Sequence, residues 1–229
     1  MSTVDLAQAP VRQLNAALHA LPENTNDTHW EVLNPQGKHA LAVGLDADIS
    51  VQIDGHVGYY CGGMNKRASI VVNGNAGVGV GENMMSGAIH VKGDVSQSAG
   101  ATAQGGLLVV DGDASARCGI SMKGVNIVVK GSIGPMSAFM AQAGNLIVLG
   151  DAGEALGDSI YEARIFVRGE VKSLGTDCIE KPLTELDLEI LEGVLAKAGL
   201  AGDVEPETFR LYGSARRLYH FHIDNVDAY

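Results

Sequence analysis

Residues 70–81 read Ile70-Val71-Val72-Asn73-Gly74-Asn75-Ala76-Gly77-Val78-Gly79-Val80-Gly81. Nineteen residues later the same grammar returns as Ile89-His90-Val91-Lys92-Gly93-Asp94-Val95-Ser96-Gln97-Ser98-Ala99-Gly100. Working outward in both directions, a glycine follows each Val/Ile/Leu-rich run at Gly55, Gly74, Gly93, Gly112, Gly131, Gly150 and Gly169, always 19 residues apart. Four residues earlier stand Val51, Ile70, Ile89, Leu108, Ile127, Leu146 and Ile165. Two residues earlier stand Ile53, Val72, Val91, Val110, Val129, Val148 and Val167. Apolar positions two apart are the mark of a strand with one buried face. A period of this length, held over seven turns, is the mark of a repeat architecture.

A G-x2-G-x3-G spacing rides on that period. Gly55, Gly58 and Gly62 show it, as do Gly74, Gly77 and Gly81, and Gly150, Gly153 and Gly157. Ser96 and Ser115 replace the middle glycine in two coils, and Ala138 replaces the last in another. One strand per 19 residues, with no hairpin signal between strands, requires a return to the same side of the sheet. The return is too short and too glycine-rich for the helix of a βαβ unit. The expected fold is therefore all-β: a right-handed, single-stranded parallel β-helix of about seven coils, roughly 30 Å tall at ~4.8 Å per coil. Glycine is expected at its corners for unusual backbone angles and because stacked corners leave no space for a Cβ.

Three segments follow. Residues 1–45 are expected to form an N-terminal helix near 9–21, with Pro10 at its first position and Val11, Leu14, Leu18 and Leu21 on one face, then capping strands at His29–Leu33 and Ala40–Val43. Residues 46–181 carry the β-helix. Residues 182–229 carry a helix opened by the capping box Thr184-Glu185-Leu186-Asp187, with Leu188, Leu191, Val194, Leu195 and Ala198 as its apolar stripe, and a docking tail.

Composition narrows function. Glycine supplies 30 of 229 residues and proline only 6, with no three-residue repeat, which excludes collagen; 46% apolar residues exclude a disordered linker. The formal net charge of −11 argues against nucleic acid and against an anionic membrane surface. No apolar run is long enough to span a bilayer and no signal peptide is legible, so a cytoplasmic protein is expected. Cys61, Cys118 and Cys178 are too few for a disulfide framework or a zinc site, and Cys61 and Cys118 fall in one inward column about 14 Å apart. The column of Met84, Met122, Ile160 and Ile179 also reads as inward, with Asn65 its polar exception. Asp94, Asp113 and Asp151 recur after the corner glycine and read as turn caps. His220 and His222 would share a strand face, but two histidines without a third ligand make a weak metal case. Nucleotide-binding, hydrolase and zinc-protease motifs are missing.

One column breaks the alternation. Gln52, Val71, His90, Val109, Val128, Ile147 and Phe166 point outward, yet five of the seven are apolar. Such a stripe needs a cover, either the chain's own termini or a partner subunit.

The blocks Asp54-Gly55-His56-Val57-Gly58-Tyr59-Tyr60-Cys61, Gly81-Glu82-Asn83-Met84-Met85-Ser86-Gly87, Cys118-Gly119-Ile120-Ser121-Met122-Lys123-Gly124 and Gly157-Asp158-Ser159-Ile160-Tyr161-Glu162-Ala163 resemble the GXGXG β-helix family. Its members include the C-terminal domain of the glutamate synthase large subunit. The likeness is closer to the free-standing form of that domain, the small β-helical subunit of N-methylglutamate synthase, and the tail Tyr212-Gly213-Ser214-Ala215-Arg216-Arg217-Leu218-Tyr219 fits that form. The resemblance implies a non-catalytic scaffold with no cofactor or metal of its own. It would bridge a glutaminase-like amidotransferase subunit and a synthase subunit carrying FMN and an iron–sulfur cluster, in a complex that makes N-methylglutamate and ammonia from methylamine and glutamate. The alternatives are a structural subunit of another glutamate-synthase-type complex or of formylmethanofuran dehydrogenase. A self-sufficient β-helix enzyme such as a polysaccharide lyase is the reading from another class. A scaffold should show outward apolar and aromatic patches rather than a pocket. The candidate contact residues are His56, Tyr59, Tyr60, Lys66, Arg67, Met85, Lys123, Phe139, Tyr161, Arg216 and Arg217.

Overall fold

A computed structural model describes residues 2–22 and 24–216 of the chain. Its centre is one eleven-stranded sheet. Eight strands stack in parallel in chain order: β2 (His29–Leu33), β3 (Ser50–Asp54), β4 (Ser69–Val72), β5 (Ala88–Val91), β6 (Leu107–Val110), β7 (Lys123–Val129), β8 (Ala143–Val148) and β9 (Arg164–Val167). From β3 to β9 the register is the sequence period itself: Val51 pairs with Ile70, Ile70 with Ile89, Leu108 with Ile127 and Leu146 with Ile165. A second line of bridges joins Val57, Ala76, Val95, Ala114, Ile133, Ala152 and Val171, so each coil pairs with the next on two sides. The fold is a parallel β-solenoid of about seven turns, as the repeat predicts.

The interior is the two apolar columns. Val51, Ile70, Ile89, Leu108, Ile127, Leu146 and Ile165 are all essentially inaccessible. Cys61 and Cys118 sit in the core beside Val80 and Ala99, and Cys178 is also buried; all three are free thiols. Burial pushes the Cys61 and Cys118 thiols up to about 12 and the Cys178 thiol up to about 11. Asn65 lies fully buried among them; its amide donates to the Ala68 carbonyl at 2.8 Å, while its Oδ1 has no protein partner.

The ends differ from expectation. The sheet starts earlier, with β1 (Ser2–Asp5) paired in parallel to β2. α1 spans Val11–His19, with Pro10 as its N-cap rather than its first residue, and buries Leu14 and Leu18. Residues 40–43 form no strand. Ala40 and Ala42 take positive φ and turn the chain through the corner of the first coil. At the other end the period slips. Leu156 bridges Leu174, 18 residues on instead of 19, and the Ser159 amide donates to the Thr176 carbonyl, 17 on where Met140 reaches Asp158, 18 on: a slip of one residue. Ile179 is consequently 44% exposed, and Cys178 takes the inward place. The sheet then changes direction. β10 (Cys178–Lys181) does not pair with β9, because β11 (Arg210–Ser214) returns from the C-terminal segment and inserts antiparallel between them.

That return explains the lower half of the outward apolar column. α2 (Glu185–Lys197), β11 and Phe209 just before it lay Leu191, Val194, Leu195, Phe209 and Leu211 over Val128, Ile147 and Phe166, which are fully buried in a second core cluster. The cover is the chain's own C-terminal segment. The start of α2 is set by the expected box: the Thr184 hydroxyl accepts from the Asp187 amide at 3.3 Å, and Asp187 Oδ2 accepts from the Thr184 amide at 3.1 Å.

Candidate functional site

The corner glycines and the recurrent aspartates turn out to be one device. In the column His56, Asn75, Asp94, Asp113, Ser132, Asp151, Glu170, each of the first six side chains accepts from the next coil's backbone N–H. The distances are 2.9 Å from Asn75 N to His56 Nδ1, 2.9 Å from Asp113 N to Asp94 Oδ1, 2.7 Å from Ser132 N to Asp113 Oδ1 and 2.8 Å from Glu170 N to Asp151 Oδ1. Asn75 and Ser132 continue the series at 3.0 Å each. Beside it the glycines bond to one another, as from Gly112 N to the Gly93 carbonyl at 3.1 Å. A Cβ on Gly112 would stand 2.9 Å from Gly93 carbonyl atoms and collide with Asp94 Oδ1. Of the seven glycines spaced 19 residues apart only Gly55 has positive φ, so the expectation of unusual backbone angles is corrected for the rest: they are glycine for space. The left-handed angles fall on the last glycine of each motif, such as Gly100 and Gly119, and on Ala138 at φ 56° where glycine is replaced.

His56, a candidate contact residue, is thus the top member of this ladder. Tyr59 is 54% exposed and stacks on His39, ring centroids 4.1 Å apart; Tyr60 sits half-buried at positive φ with its ring over Gly63. Phe139 is half-buried. Lys66 and Arg67 both bond to Asp46 at 2.9 Å, and these bonds hold the exposed Asp46 carboxyl below its usual value. Met85, Lys123 and Tyr161 are exposed. Arg216 pairs with Asp177. Arg217 and the tail aromatic and histidine residues Tyr219, His220, Phe221 and His222 lie outside the described residues.

The register joins some of these residues and separates others. Lys66, Met85, Gln104, Lys123, Gln142 and Tyr161 form a single column of exposed side chains on one corner. His56, Tyr59 and Tyr60 lie on other parts of the coil. At its lower end the column meets a feature that the sequence pattern does not predict. A groove of about 610 Å³ is lined by Gly144, Tyr161, Arg164, Lys181, Thr184, Tyr212 and Arg216, among others. It exists because β11 inserts beside β9 and the start of α2 folds back over Arg164. Arg164 Nε donates to Asp187 Oδ1 at 3.0 Å, and Lys181 Nζ donates to the Ser214 carbonyl at 3.0 Å. Burial alone would raise the Asp187 carboxyl, but the Thr184 hydrogen bonds and Arg164 outweigh it and hold it low. Burial pushes the Tyr212 phenol up. The groove is illegible in the sequence because it depends on a strand that pairs out of sequence order.

Among the described residues no group of three or more His, Cys, Asp or Glu is placed to hold a metal ion. The three cysteines sit singly in the core as un-ionised thiols, which does not fit an iron–sulfur cluster in this chain. No helix among them is long and apolar enough to cross a membrane.

No family model matches the chain. Over 229 residues it is 58% identical to Protein GlxC of Rhizobium meliloti (strain 1021), covering all of both chains. The chain belongs to the GlxC family. Among solved structures it matches, at TM-score 0.54 and 24% identity, a chain of the X-ray structure of the formyltransferase/hydrolase complex FhcABCD from Methylorubrum extorquens with methylofuran, covering 68% of this chain and 69% of that one. At that identity the likeness speaks for the solenoid fold, reached independently by the 19-residue register.

Proposed function

We propose that this GlxC-family chain is a non-catalytic β-helical scaffold subunit of a multisubunit, glutamate-synthase-like enzyme complex. The observation that carries the reading is the division of labour among the polar residues. The recurrent acids accept backbone N–H groups of the next coil, while a full column of long, exposed side chains on another corner has no such task. Support also comes from the solved structure with the same fold, which is a chain of a multisubunit complex.

Within that class, the sequence resemblance favours an N-methylglutamate synthase. The partners would be a glutaminase-like amidotransferase subunit and a synthase subunit holding FMN and an iron–sulfur cluster. This chain would add rigidity and spacing and no reacting group. A second reading, a structural subunit of a formyl-transferring complex in the manner of formylmethanofuran dehydrogenase, is favoured by the complex in which the fold match is found.

Native mass spectrometry of the complex isolated from host cells tests both. Co-isolation with amidotransferase-like and flavin/iron–sulfur chains, together with conversion of methylamine and L-glutamate to N-methylglutamate, supports the first. Co-isolation with formyl-transferring chains supports the second. Turnover by the purified chain alone would sink the scaffold reading and revive a self-sufficient β-helix enzyme.

A further inference from the structure

We infer that the exposed corner column and the C-terminal groove form one continuous docking surface, and that its occupant is a partner subunit presenting carboxylates beside apolar side chains. The inference rests on the scaffold reading and assigns it a face and a chemistry.

The column Lys66, Met85, Gln104, Lys123, Gln142 and Tyr161 is exposed in every coil and contains no acid, on a chain whose net charge is −11. Two residues earlier in the same turn run Met64, Asn83, Thr102, Ser121, Met140 and Ser159, also without an acid and all at positive φ. That shared left-handed turn holds both columns in register. Met85 and Tyr161 are 43% and 47% exposed, although nothing in the fold needs them there. Five coil-to-coil steps of ~4.8 Å make a strip about 24 Å long. The strip ends in the groove, which Tyr161 also lines, and the groove adds the cations Arg164, Lys181 and Arg216 and the acids Glu162 and Asp187. On the strip, exposed methionine and tyrosine without a carboxylate match the composition of an interface core.

The charge pattern selects the occupant. Lys66 is already paired with Asp46, but no ion pair is formed by Lys123 among the described residues. Lys123, and in the groove Lys181, whose Nζ bonds only to the Ser214 carbonyl among the described residues, present positive charge on an otherwise acidic body; Arg164 and Arg216 are already paired with Asp187 and Asp177. A second copy of this chain would bring another −11 towards it, and net like charge opposes self-association. An acidic segment of a different subunit satisfies both the sign of the surface and its methionine and tyrosine contacts.

The experiment is carbodiimide coupling, which joins an amine to a carboxylate only when they are in direct contact, on the complex purified from host cells through a tagged full-length chain. Peptide mass spectrometry should find Lys123 or Lys181 amide-linked to Asp or Glu of one partner subunit. Lys123→Glu with Met140→Asp should lower the partner-to-chain ratio at least tenfold, while Gln97→Glu, exposed on another part of the coil, should leave it unchanged. All variants should unfold at the wild-type temperature, separating docking from folding. Links to a second copy of this chain, links confined to Lys92 and Lys130, no link from this surface, or full partner retention in the double variant would each overturn the docking surface and leave the scaffold reading standing. A tagged chain that purifies alone would overturn both.

Discussion

Two corners of this rod use the same repeat for opposite ends. At one, Asp94, Asp113, Ser132 and Asp151 turn their oxygens into the next coil and fill the space that a Cβ on the neighbouring glycine would need. At the other, Met85, Gln104, Lys123 and Gln142 point into solvent on a backbone held by left-handed turns. The first corner is acidic because carboxylates accept backbone N–H groups well. The second is acid-free although no backbone demand excludes acids there. Abundant charge in a repeat therefore does not mark function. Here it marks architecture, and the quieter column is the candidate for binding.

Substitutions can break that contrast. The largest effect is expected from Gly112→Val, which forces side-chain atoms into Gly93 and Asp94; it should cost about 3 kcal/mol or more, read as a lower thermal midpoint or failure to fold. Gln104→Val, on the exposed column, should change stability by less than about 0.5 kcal/mol in the same measurement. If both are tolerated equally, the corners do not differ as described. Asp113→Ala, which strands the Ser132 amide, should cost about 1 kcal/mol by denaturant titration, and Asp113→Asn should recover most of it because the amide oxygen still accepts.

Acid sharpens the contrast further. Asp111, flanking the ladder, bonds to Lys130 at 2.7 Å and His90 at 2.9 Å. Burial raises its carboxyl, but these partners outweigh burial and hold it below the ordinary value of 3.8. A depressed folded pKa means stability that is complete above the unfolded value and is lost as pH falls through the folded one. Stability should thus decline below about pH 4, and Asp111→Asn should flatten that decline. The smallest effect is expected from Lys123→Glu, which should leave the unfolding midpoint within error while weakening association with a partner.

Much of the fold was legible because a solenoid writes its contacts at constant separation. Ile70 meets Ile89 for the same reason that Leu108 meets Ile127. The pattern misleads where the separation changes. Ile179 is at the right count for the core, but the last coil is one residue shorter, so Cys178 went in and Ile179 stayed out. Residues 40–43 have strand composition but occupy a corner, where Ala40 and Ala42 accept positive φ. Of the candidate contact residues, the period shows Lys66, Met85, Lys123 and Tyr161 to be one column. The groove below them needed β11, whose antiparallel place between β9 and β10 no local pattern announces.

The sequence by itself determined the period, the inward columns, the capping box of α2 and the need to cover Val128, Ile147 and Phe166. All of these follow from residue spacing and burial of apolar surface, which act locally or at a fixed interval. Only the tertiary structure decided which of the two offered covers is used, where the groove opens and that space rather than backbone angle makes six of the seven period-setting residues glycine. These depend on contacts between segments of unrelated spacing and on space left by neighbouring coils, and a linear pattern does not encode either.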